Sequence, residues 1–245
     1  MILTIKNLVK LRIQGGISFE LRIPQLELPR GGFIAVVGES GCGKSTLLDL
    51  LALVLRPTQS DSFYIHNTIS EWQTERLDIG AFWETGNENA LAQIRREKLG
   101  YVLQTGGLLP FLSVEQNLLL PCRVKNISSN ECAVRALAKR MGVETLLAKK
   151  PQFLSGGQRQ RVAILRAMIH HPEIILADEP TAAVDRERAI AIVQDFHSLA
   201  KEKGCTIVIV THNRALIEPL ADMMFTFAVE QVSDTFTHSV CTQAN

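Results

Sequence analysis

The sequence has no long apolar run. Leu50–Leu55 and its near neighbours fall far short of the ~20 apolar residues that a membrane helix needs, so any span would come from another chain. Charge of one sign is also missing. The 26 Lys and Arg against 25 Asp and Glu leave +1, which gives no strong general pull to nucleic acid or acidic lipid. Cys42, Cys122, Cys132, Cys205 and Cys241 are scattered without a C-x-x-C pair, which excludes a zinc framework and a disulfide scaffold. Their odd number, and the place of Cys42 in a glycine-rich loop, favour a reducing cytosol. The start, MILTIKNLVK, lacks the charged-then-apolar layout of a signal peptide, and neither heptads nor internal repeats are present. What is there is an ordinary globular balance, 46% apolar and 21% charged, over 245 residues, enough for one large domain or two small ones.

Hydrophobic patterning sets an alternating order of strands and helices. "ILTIKNL" (2–8) and "ISFELRIPQLEL" (17–28) alternate apolar and polar residues, as half-exposed strands do. "GGFIAVVG" (31–38) is a continuous apolar run, the mark of a strand buried on both faces, and 47–55 continues as a helix. Residues 58–95 read as a variable insertion with a short strand at 63–65 and two tryptophans, Trp72 and Trp83, for packing or a partner surface. "ALAQIRREKLGYVLQ" (90–104) is a helix running into a strand, and 113–148 is mostly helical, including "SSNECAVRALAKRMG" up to Gly142. "EIILADEP" and "CTIVIVTHN" are two more buried strands, and the helix between them closes on Gly204. This order predicts an α/β parallel sheet interrupted by a helical block at about 105–165, and a polar, poorly ordered tail at 232–245.

Four stretches carry chemistry. "GESGCGKST" (Gly38, Glu39, Ser40, Gly41, Cys42, Gly43, Lys44, Ser45, Thr46) fits G-x-x-x-x-G-K-[ST] between a buried strand and a helix. Its glycines let backbone N–H groups turn onto phosphate oxygens, Lys44 adds positive charge near the β and γ phosphates, and Ser45 can ligate Mg²⁺. "IILADEPT" (174–181) places Asp178 at a strand's carboxyl end, to hold the Mg²⁺ water shell, with Glu179 beside it to orient or deprotonate a water. "THN" (211–213) ends the parallel neighbour, which puts His212 within reach of a γ-phosphate. "PQFLSGGQRQRVAILR" (151–166) is a helix start with Ser155 as N-cap and two glycines at its mouth, a second anion cradle. Arg159 and Arg161 read as solvent-facing helix charges or carboxylate partners, in preference to a direct phosphate role.

Gly38–Thr46, Gln104, Leu154–Gln158, Asp178–Glu179, Asp185 and His212 occur in the order and spacing of an ABC-type ATPase, and the resemblance covers nearly the whole chain. "REKLGYVLQTGGLLPFLSVEQNLLLP" and "LADEPTAAVD" resemble the branch with the lipoprotein-releasing and macrolide-efflux ATPases. The resemblance implies a P-loop NTPase parallel sheet with an N-terminal antiparallel β subdomain and an inserted helical subdomain, one domain over 1–231. It implies that Gln104 senses Mg²⁺ and water and that its following loop meets a membrane partner. It implies that Glu179 is the catalytic carboxylate, that His212 contacts the γ-phosphate, and that Asp185 lies at a dimer seam. Two cradles facing the same way on one chain cannot meet on one nucleotide. A two-fold homodimer resolves this, with Ser155, Gly156, Gly157, Gln158 and Asp185 of one copy facing the Gly38–Thr46 loop of the other across ATP.

The pattern departs from the family in three places. The family's usual adenine-stacking aromatic aligns with Arg12, whose guanidinium can stack on a base, and Phe19 is the other candidate. The insertion at 58–95 is long. The stretch Ala182-Ala183-Val184-Asp185 lacks the commoner serine but keeps its carboxylate. The expected function is therefore an ATP-hydrolysing subunit with Mg²⁺. It would be cytoplasmic and peripheral at the cytoplasmic face of the inner membrane, driving a separate integral-membrane permease, with no nucleic acid partner. A soluble ABC ATPase working on nucleic acid or ribosomes is the alternative, disfavoured by the single cassette and the +1 charge. A scaffold that hydrolyses slowly is disfavoured by intact Lys44, Asp178 and Glu179.

Overall fold

The computed structural model describes residues 1–70, 73–127, 131–182 and 184–244. The chain opens with β1 (Leu3–Gln14), β2 (Ile17–Leu28) and β3 (Phe33–Val37), then α1 (Lys44–Leu51), β4 (Ser62–Ser70) and β5 (Gln73–Asp78). It continues with α2 (Ile79–Glu84), α3 (Glu88–Lys98) and β6 (Leu99–Val102), then α4 (Val114–Val124), α5 (Glu131–Arg140) and α6 (Gly156–Met168). It ends with β7 (Ile174–Asp178), α7 (Arg186–Lys203), β8 (Thr206–Thr211), α8 (Arg214–Ile217), β9 (Met223–Ser233) and β10 (Phe236–Gln243).

The strands form one sheet in the order β5-β4-β1-β2-β10-β9-β3-β8-β7-β6. From β9 to β6 the neighbours run parallel, and from β2 to β5 they run antiparallel. Parallel strands need coverage on both faces, and β3 shows why its sequence is apolar throughout. Phe33, Ala35 and Val37 pack into a core with α4 to α7, while Ile34 and Val36 pack into a second core with α1 and the N-terminal strands. The Phe, Val and Ile side chains among them each contribute roughly 1.5–3 kcal/mol on burial. The parallel order β3-β8-β7 brings the carboxyl ends of three buried strands to one edge of the molecule, where open α/β sheets bind ligands.

The tail is a strand, which corrects the expectation of a polar, poorly ordered segment at 232–245. β10 pairs in parallel with β2 and antiparallel with β9, so the sheet continues past residue 231. Its composition misleads because its buried face is small and polar: Ser239 and Cys241 are fully buried, and Ser239 Oγ donates to the Cys42 carbonyl at 2.6 Å. The short strand expected at 63–65 extends to Ser62–Ser70 and pairs with both β1 and β5, so the 58–95 stretch is woven into the sheet. The first helix stops at Leu51, ahead of the expected 55, because Leu53 turns into the left-handed region (φ 58°). Trp83 is buried against the antiparallel strands; Trp72, the Ser128–Asn130 helix start and Ala183 lie outside the described residues.

Candidate active site

The loop between β3 and α1 is shaped by its glycines. A methyl group at Gly38 would lie 2.6 Å from Cys42 Sγ and 3.0 Å from the Phe227 ring, and one at Gly43 would lie 3.0 Å from Phe19 Cζ, with φ at +108°. Gly43 caps α1 without any side-chain bond, so the first N–H groups of the helix face open space. Lys44, 8% exposed, fills part of that space, and its ammonium donates to the carbonyls of Gly38 (2.7 Å) and Glu39 (2.6 Å). Ser45 Oγ reaches Asp178 Oδ2 at 3.5 Å, which brings the loop to the end of β7. Burial first, then the neighbouring Glu179, pushes the Asp178 carboxyl above its usual value.

Glu179 takes a left-handed backbone, φ 44°, rare for a residue with a side chain and costing about 1–3 kcal/mol. Its N–H donates to the Val210 carbonyl at 2.9 Å, which locks that turn to β8. The next residues of β8 then bring His212 beside it, and the His212 Nδ1–H donates to Glu179 Oε2 at 2.9 Å. Glu179, Asp178, Gln104, Ser40, Gly41, Gly43, Lys44, Ser45 and Thr46 line one open cleft of about 700 Å³ together with Arg12 and Phe19. His212 touches this group through Glu179 and lines the neighbouring groove along α7. Arg12 and Phe19 are direct cross-strand partners on β1 and β2, which places both sequence candidates for base stacking at the same wall. Sequence reasoning missed Gln14 and Ile17, which line the cleft from the hairpin tip between these strands. Their signal was the hairpin turn Gly15-Gly16, both at positive φ.

Residues 155–158 stand apart from that cleft. Ser155 caps α6 as expected, its hydroxyl accepting from the Gln158 N–H at 3.3 Å while Gln158 Oε1 accepts from the Ser155 N–H at 2.8 Å. Gly157 packs near Val184 and Arg188, so the cradle sits next to the start of α7. Asp185 caps that helix, accepting from the Arg188 N–H at 3.0 Å. Arg159 and Arg161 bond inside the helical region, to the Leu154 and Met141 carbonyls.

Residues 21–182 match the family model described as ABC transporter. The chain belongs to the ABC transporter family. It is 39% identical over 195 residues to the lipoprotein-releasing system ATP-binding protein LolD of Idiomarina loihiensis, covering 79% of each chain. It is 35% identical to the macrolide export ATP-binding/permease protein MacB of Campylobacter fetus, covering 86% of this chain and 31% of that longer one. The solved dimeric post-hydrolysis state of the cassette MJ0796, bound to ADP and Pi, superposes with a TM-score of 0.78 at 32% identity, over 91% of this chain and 93% of that one. The fold is thus the P-loop ATPase sheet that the motifs predicted, on an ABC ATPase similar to the lipoprotein-releasing and macrolide-export branch.

Proposed function

We propose that two copies of this chain close around two ATP molecules and that the closing and reopening drive a separate membrane permease. The carrying observation is the split of the machinery: Lys44, Ser45, Asp178, Glu179 and Gln104 share one cleft, and none of Ser155–Gln158 lines it. A second copy supplies the missing wall, with Ser155, Gly156, Gly157, Gln158 and Asp185 acting in trans. ATP shared between the copies holds them together, and hydrolysis releases them, a ligand-biased two-state switch.

In the cleft Lys44 leaves its own loop's carbonyls for the phosphates, and the open N–H groups of the loop and α1 receive the remaining phosphate oxygens. Glu179 accepts the proton of the attacking water, oriented by the His212 Nδ1–H. His212 in turn reaches the γ-phosphate from the β8 end. Arg12 and Phe19 offer a cation and a ring for the base.

Ser45 Oγ and Asp178 Oδ2, close together at the mouth of α1, fit the few oxygen ligands Mg²⁺ takes from protein when phosphates and water supply the rest, with Gln104 completing the set. Bound there, Mg²⁺ neutralises developing phosphate charge.

The permease side of the reading is supported by exposed apolar residues beside Gln104 and before α6: Leu103 at 44%, Phe111 at 67% and Phe153 at 66%. The chain acts at the cytoplasmic face of the inner membrane, and among the described residues no helix is long and apolar enough to cross a membrane. The relatives point to lipoprotein release or efflux as the class of work. Affinity purification of the full chain from solubilised membranes tests this. Recovery of a multispan protein that raises ATP turnover is expected, and recovery of ribosomes or RNA in its place contradicts it.

A further inference from the structure

We infer that Arg166 is a positioning residue for hydrolysis: from α6 it clamps the turn that carries Gln104. Gln104 sits in a turn closed by the Gly106 N–H donating to the Leu103 carbonyl at 2.8 Å. Immediately after the turn come two glycines in the left-handed region, Gly106 at φ 76° and Gly107 at φ 57°. A methyl at Gly107 would lie 2.6 Å from Leu103 Cδ1, so a side chain there would have to displace Leu103 and hold a left-handed backbone. Backbone of this kind leaves its carbonyls pointing away from regular partners. Both are taken by one side chain: Arg166 donates from Nη1 to the Gly107 carbonyl at 2.7 Å and from Nη2 to the Gly106 carbonyl at 3.1 Å.

Arg166 is half-buried, and among the described residues it has no carboxylate at ion-pair distance, so these two carbonyls are its counter-dipoles. Burial alone pulls its pKa below the ordinary value, as expected for a cation solvated by peptide oxygens. Its planar fork matches two successive carbonyls in a way that a single ammonium does not. Gly106 also packs on α6 itself, near Ala163 Cβ and the Arg159 carbonyl. Gln160 is buried beside the same loop with its Nε2 unpaired. Arg166 thus holds the loop in this arrangement from α6.

The consequence is mechanical. α6 begins at the Ser155–Gln158 cradle and, through Arg166, ends its reach at Gln104 of the same copy. A push on the cradle by a nucleotide in the partner's cleft is passed along one rigid helix to the Gln104 turn.

This inference rests on the reading of Gln104 as a hydrolysis residue, and the experiment separates the two. Steady-state turnover and amide exchange are measured on the full chain for Arg166→Met, Gln104→Ala and the double variant. Arg166→Met is expected to lower kcat about tenfold or more with KM for ATP within about twofold, since a loosened group costs rate more than ground-state binding. Exchange of the Gly106 amide should accelerate while α6 stays protected. The double variant should be no slower than the slower single one. Independent multiplication of the two defects, or unchanged exchange at 104–107 in Arg166→Met, overturns the clamp. Wild-type kcat in Gln104→Ala overturns the reading of Gln104 and the positioning role with it. Where Arg166→Met fails to fold, Arg166→Lys serves: it keeps the charge, reaches one carbonyl, and should give an intermediate kcat, whereas wild-type kcat and exchange would overturn the inference.

Discussion

The two glycine-flanked helix mouths of this chain, at α1 and at α6, present the same backbone donors and are finished in opposite ways. The mouth of α1 has no side-chain cap, and its loop is held in shape by Gly38 and Gly43, where a methyl group would crowd its neighbours, and by Lys44 bonded to the loop's own carbonyls. It is a site kept open in advance for phosphate. The mouth of α6 carries the Ser155–Gln158 capping box, with Ser155 exposed and Gly157 buried. The capping box satisfies the Ser155 and Gln158 N–H groups without ligand, and on the proposed reading those of Gly156 and Gly157 meet the ATP held by a second copy. On the proposed reading, the difference teaches that one mouth binds and the other reports that binding has happened in a partner.

Breaking the α1 mouth should give the largest effects. Lys44→Ala removes the one cation in the loop, and ATP affinity should fall about 100-fold, read by titration with a fluorescent nucleotide. Glu179→Gln should leave binding intact and lower kcat about 100-fold or more, accumulating an ATP-bound dimer on size exclusion. A monomer that hydrolyses at the wild-type rate contradicts the role given to Glu179.

The glycines sharpen the contrast. Gly43→Ala forces a φ of +108° on a residue with a side chain and should lower stability by about 1–3 kcal/mol in chemical denaturation. Gly157→Ala meets only ordinary contacts, 3.5 Å to Val184 Cγ1 and 3.6 Å to Arg188 Cδ, so its stability should match the parent's. Its turnover should nevertheless fall about tenfold, because the methyl group intrudes where the partner's nucleotide arrives. Equal turnover in Gly157→Ala would remove the functional asymmetry. Ser155→Ala should cost about 1 kcal/mol of stability through the lost cap alone.

The mouths were legible in the sequence to different depths. The α1 loop is nine contiguous residues after a buried strand, and local chemistry alone requires its glycines and Lys44. The α6 cap was legible for the same reason, as was the placing of Asp178 and Glu179 at a strand end. What could not be read depends on distant chain. The Arg166 fork closes on carbonyls about sixty residues earlier, and no local pattern marks an arginine whose partners are backbone oxygens. β10 was hidden because a buried Ser239, satisfied by the Cys42 carbonyl, looks like a surface residue until β2 and β9 are placed on either side. Cross-strand pairing of Arg12 with Phe19 follows from the β1–β2 register, which the two-residue turn fixes.

The smallest effect lies away from both mouths and serves as their control. Glu173, at the amino end of β7, bonds Lys98 and Arg30. Burial alone would raise its pKa, but these two cations outweigh it and hold the carboxyl below the usual value. A depressed folded-state pKa contributes stability above the ordinary carboxylate pKa, and that stability is lost as pH falls through the folded value. Glu173→Gln should therefore lower stability near neutral pH, flatten its decline in acid, and leave ATP affinity unchanged.

The direct measurement of the central claim is amide exchange at residues 156–158 in Glu179→Gln with ATP and Mg²⁺, across a range of protein concentrations. The account predicts that protection at these amides appears only at concentrations where two copies associate, while residues 38–46 are protected at any concentration that binds ATP. Protection of 38–46 in a dimer whose residues 156–158 exchange as freely as without nucleotide would contradict it.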